Sequence, residues 1–128
     1  MRALVAVLSV WCILFVIPFV IYGSGSVLFD LKPPAGAAWQ FLLSVAVTKV
    51  GTAIAFVALF AFCRDGWRGH WLLYAGIWFF MFAASEVGDA VKASYGFTEA
   101  MLGILSEAVY APLAAFTIDR VLPSKPYN

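Results

Sequence analysis

Four predominantly apolar runs, each about 20 residues long, occupy most of this chain, and each can cross a ~30 Å hydrocarbon layer. They cover about residues 3–22, 41–62, 71–92 and 99–122. A spanning segment must satisfy its own backbone hydrogen bonds, so each run is read as a helix. A β-barrel is excluded, because barrel strands alternate apolar and polar residues and these runs do not. The expected fold is therefore all-α: a single transmembrane domain of four helices packed up-down-up-down as an antiparallel bundle. Residues 123–128, with two prolines, form a short cytoplasmic tail.

Composition agrees. Of 128 residues, 64% are hydrophobic and only 12% charged. A soluble domain this small has too little interior to hide so much apolar surface. A net charge of +1, without a basic block, gives no reason to expect nucleic acid as a partner. The expected partners are membrane lipid and either further copies of the chain or a larger membrane protein.

The first run begins after Arg2 and resembles a signal peptide in outline. Its length, its bulky residues and the lack of a small-x-small cleavage site argue for a retained helix. Arg2, Arg64, Arg68, Arg120 and Lys125 fall on one side of the spans, and Lys32 and Lys92 on the other. The positive-inside rule then puts both termini in the cytoplasm of a plasma (inner) membrane. Trp39, Trp67, Trp71 and Tyr95 fall at span ends, where amphipathic rings favour the interface. Residues 63–70 and 93–98 read as tight turns, with Thr98 as an N-cap. The longer 23–40 connection, rich in glycine and proline, carries a Val27-Leu28-Phe29 patch suited to the outer membrane surface.

The charges inside the spans carry the functional argument. Lys49 is the sole charge in its run, Glu107 lies at a similar depth in the fourth, and Glu86 and Asp89 interrupt the end of the third. A charge at the bilayer centre costs about 2.5–3.5 kcal/mol on insertion scales, so it is normally paired or used. From the ~1.5 Å rise per residue, the four form a ladder from the outer surface to the midplane. One reading makes Lys49–Glu107 or Lys49–Glu86 an ion pair that sets which helices pack, as in an accessory or packing subunit or a homo-oligomer. The alternative is a proton- or cation-coupled transporter or channel using Glu86 and Glu107. One lysine cannot neutralise two acids, and a dry interior disfavours the charged form of an unpaired carboxyl. A third reading, a lipid-modifying enzyme, rests on Glu86 and Asp89 as an acid–base pair.

Small residues suggest packing faces. Ser44, Thr48 and Thr52, with Gly51 and Ala55, line one side of the second helix; Gly103, Glu107, Ala111 and Ala115 line one side of the fourth. Pro18 and Pro112 fall inside spans, where each removes a backbone hydrogen bond and kinks its helix. No catalytic residue, metal site or cofactor is expected: the single histidine, His70, falls in a turn, and no CxxC, phosphate loop or nucleophile elbow occurs. Cys12 and Cys63 lie too far apart in depth for a disulfide, which leaves two free thiols.

Overall fold

The computed structural model describes residues 1–33, 35–67, 69–92 and 96–122. Tyr95, Arg68, Lys125 and the tail 123–128 lie outside the described residues. Four long helices form, α1 (Arg2–Leu28), α2 (Ala38–Phe62), α4 (Trp71–Val91) and α5 (Phe97–Val121), with one short turn of helix, α3 (Arg64–Trp67), between α2 and α4. All four long helices are apolar and long enough to span a membrane. No strand occurs among the described residues.

Several helix limits differ from those the sequence suggests. α1 runs six residues past position 22, so Val27 and Leu28 form its last turn and Phe29 caps it. The extension packs on α5. A Cβ at Gly25 would meet Leu102 at 2.5 Å, and Tyr22 donates a hydrogen bond to the Glu99 carbonyl at 3.0 Å. Glycine inside a helix costs up to about 1 kcal/mol, and this close approach offsets it. At the start of α5 the N-cap is Gly96, and Thr98 lies inside the first turn. Gly69 reverses the chain before α4 with φ of 74°, a conformation most side chains resist.

The helices do not pack evenly. α1 lies against α2 and α5, and α4 lies against α5. α2 and α4 meet instead through rings: Phe56 and Phe60 each lie 5.0 Å from Tyr74, and Phe56 lies 5.0 Å from Trp78. Side chains also donate to backbone carbonyls between helices. Trp11 Nε1 bonds the Ala46 carbonyl at 3.0 Å, Tyr74 Oη bonds that of Phe56, and Arg64 bonds that of Leu122. Such donors matter in lipid, where no water satisfies a buried polar group. α5 sits deepest: half of its most apolar window is buried, against 17–22% in the other helices.

Pro18 and Pro112 are accommodated within continuous helices. Cys12 and Cys63 are free and exposed.

Candidate functional site

Tyr74, Trp78, Phe82 and Glu86 recur every four residues on α4, so they share one face. Its rings form a continuous column. Trp67 lies 5.3 Å from Tyr74, Trp78 5.4 Å from Phe82, and Phe82 6.1 Å from Tyr110 of α5. The column starts at the α3 turn and ends at mid-bundle. There the side chains become charged.

Glu107 lies midway along α5 and is 4% exposed. Gly103, one turn earlier, makes room for Glu86 from α4: a Cβ on Gly103 would meet the Glu86 carboxyl at 2.5–2.7 Å. The missing side chain lets the Glu86 carboxyl lie against the backbone of α5, one turn from Glu107 on the same face of that helix. Two ionised carboxylates are both acceptors and cannot bond to one another. Oε2 of Glu86 and Oε2 of Glu107 are each buried with no hydrogen-bond donor. The adjacent Ser106 hydroxyl is committed elsewhere, to the Leu102 carbonyl at 2.8 Å.

Lys49 reaches in from α2. Its Nζ lies 5.3 Å from the Tyr110 ring centre and 6.0 Å from that of Phe82, an arrangement in which ring faces attract the ammonium. Both acids are near enough for Lys49 to feel their charge. It forms no ion pair with either one. The one ion pair among the described residues is Lys92–Asp89, 3.7 Å apart and largely exposed. Asp89 thus lies at the open end beside its own lysine, and its charge reaches Glu86.

The two small-residue faces have different surroundings. On α5, Gly103, Glu107, Ala111 and Ala115 are all buried. On α2, Ser44, Thr48, Gly51 and Ala55 are exposed and Thr52 is half-buried. The hydroxyls of Thr48 and Thr52 bond backward to the carbonyls of Ser44 and Thr48. α2 buries Ala53, Phe56, Val57 and Phe60 instead, because bulky rings are needed to bridge to α4. Among the described residues, nothing buries Ser44, Thr48, Gly51 or Ala55 of the α2 stripe.

Tyr110, Trp78 and Tyr22 escaped the sequence reading of the site. The four-residue row from Tyr74 to Glu86 was the available signal for Trp78, and the three-residue step from Glu107 was that for Tyr110. No equivalent signal marks Tyr22. No group of three His, Cys, Asp or Glu among the described residues is arranged to hold a metal ion.

Comparison with protein-family models, with curated proteins and with solved structures finds no match to this chain.

Proposed function

We propose that this protein is a multi-pass inner-membrane protein that binds and passes a proton or a small monovalent cation at the Glu86–Glu107 pair. The helices cross in alternating directions. This is supported by the meeting of Tyr22 and Gly25, late in α1, with Glu99 and Leu102, early in α5. Basic residues favour cytoplasmic termini.

One observation carries the reading: two acids lie side by side at mid-bundle, each with a buried oxygen that lacks a donor. An unsatisfied buried polar atom costs about 1–3 kcal/mol, and native structures rarely tolerate two together. A proton or cation between the carboxyls removes both deficits. The charge count agrees, since Lys49 offsets one acid and a single negative charge remains. The aromatic column closes the site toward the α3 end, while half-exposed Glu86 and Asp89 leave the opposite end approachable. Passage therefore requires the rings of Trp78, Phe82 and Tyr110 to move.

The test is flux into proteoliposomes under an imposed pH gradient, with sodium and potassium gradients run in parallel. Wild-type protein should dissipate at least one gradient, and Glu107→Gln should slow that at least tenfold. No flux of any kind, or flux unchanged in both Glu107→Gln and Glu86→Gln, would overturn the proposal.

A second reading, an accessory subunit or homo-oligomer, is favoured by the uncovered stripe of α2. It expects Lys49→Met combined with Glu107→Gln to leave folding and assembly intact. Native mass spectrometry in mild detergent reports the copy number that this reading requires.

A further inference from the structure

Away from the acids, a second feature runs along the outside of α4 and α5. Leu72, Ala75, Gly76 and Phe79 of α4 and Ala108 and Pro112 of α5 line an open apolar groove of about 290 Å³. Its depth comes from small side chains: Ala75, Gly76 and Ala108 fill little space, and nothing lies within 4 Å of where a Gly76 Cβ would stand.

The α5 face that lines the groove continues beyond it, toward the end of the bundle that carries Arg2 and Arg64. Ala108, Pro112, Phe116 and Arg120 recur every four residues and so lie along one face of α5. At that end Trp71 packs edge-on against Phe116, with ring centres 5.4 Å apart. The Arg120 guanidinium lies 5.0 Å over the same Phe116 ring. A guanidinium held over a ring face makes no hydrogen bond to it, so its N–H groups stay available and a phosphate can take two of them. Arg120 is exposed and makes no ion pair with a described residue.

The dimensions fit one leaflet. Twelve residues separate Ala108 from Arg120, roughly 18 Å of helix, and half of a ~30 Å hydrocarbon layer is about 15 Å. We infer that this groove is a binding site for an anionic phospholipid, with one acyl chain lying along Gly76 and Pro112 and the phosphate on Arg120. A second helix in the groove is the competing occupant. The exposed arginine at its mouth favours the lipid, because the described residues offer no exposed carboxylate row on this chain to meet it. The inference rests on the protein spanning a membrane, and it does not depend on what the acids do.

The experiment is native mass spectrometry of protein released from nanodiscs made of equal parts phosphatidylglycerol and phosphatidylcholine. Wild-type protein should retain one phosphatidylglycerol at collision energies that strip phosphatidylcholine. Arg120→Gln should reduce that preference at least fivefold, and Arg2→Gln, with its charge at the same end but off the groove, should keep it. Gly76→Leu fills the groove and should remove the retained lipid whatever its headgroup. Equal retention of both lipids by wild type, or full preference in Gly76→Leu, would overturn the assignment. A wild-type dimer that Gly76→Leu converts to monomer would assign the groove to a second copy instead. Protein that leaves the discs holding no lipid at all, and stays soluble without detergent, would overturn the membrane reading itself. Thermal unfolding in detergent should match wild type for Arg120→Gln and Arg2→Gln and should be no lower for Gly76→Leu, because the Cβ added at Gly76 meets open space, a helical glycine gains propensity on replacement, and both arginines are exposed.

Discussion

α2 and α5 look alike as sequence and differ as structure. Each is a long apolar helix with one charge at mid-depth and a row of small residues beside it. α5 is the centre of the bundle, with its small face buried between α1 and α4. α2 is peripheral: it touches α1 closely, and meets α4 through rings, the Tyr74 hydrogen bond and the Lys49 ammonium over Phe82. A small-residue stripe therefore marks a place where close packing is possible, but position in the bundle decides whether it happens. The same difference separates the charges. Glu107 is enclosed on its own helix, while Lys49 must extend across to rings on two others.

The comparison breaks first at the rings. Phe56→Ala removes the side chain that holds α2 to Tyr74 and Trp78, and should destabilise by roughly 2–3 kcal/mol. That is below the usual range for aqueous cores, because lipid also solvates an exposed ring. Phe62→Ala, at a residue 89% exposed, should change stability by under about 0.5 kcal/mol. Reversible unfolding in mixed micelles measures both. Equal effects would mean that α2 is held by something other than these rings.

Glycines sharpen it next. Gly103→Ala puts a methyl where the Glu86 carboxyl lies, but that carboxyl ends a flexible side chain and can swing away. The fold should lose no more than about 1 kcal/mol, whereas flux should fall about tenfold as the acids separate. A large stability loss with flux retained would place the importance of Gly103 in packing alone. Gly51→Ala on α2 meets nothing within 4 Å and should gain up to about 1 kcal/mol from helix propensity, with flux unchanged. Loss of stability there would reveal a partner covering the α2 face.

The smallest effect belongs to Asp89→Asn. Its pair with Lys92 is solvent-facing, so stability should change by under about 1 kcal/mol in the same micelle assay.

Much of the fold was legible because a long apolar run that satisfies its own backbone hydrogen bonds has few forms open to it: all four runs are helices long and apolar enough to span a membrane. Helix ends were less legible. α1 continues through Gly23 and Gly25 because α5 packs on it there, a tertiary contact that local composition does not encode. At the site, Glu86 and Glu107 stood out as charges in apolar runs, and their adjacency follows from Gly103 lying one turn before Glu107. The direct Lys49 ion pair was a reasonable expectation from depth alone. Depth does not give rotation about the helix axis, however, and Lys49 lies on Tyr110 and Phe82 instead. The α2 stripe had the right spacing for packing, but spacing says nothing of which helix lies opposite.

The most direct test of the acid pair is labelling with a membrane-soluble carbodiimide, which takes the proton of a protonated carboxyl buried away from water and is then attacked at carbon by its oxygen, followed by peptide mass spectrometry. The expected result is one adduct per chain, on Glu107 or Glu86, with Glu99 and Asp119 unmodified, and with labelling suppressed in Gly103→Ala. Unmodified Glu86 and Glu107, or labelling spread evenly over all the carboxylates, would contradict a proton-binding pair at the centre of this bundle.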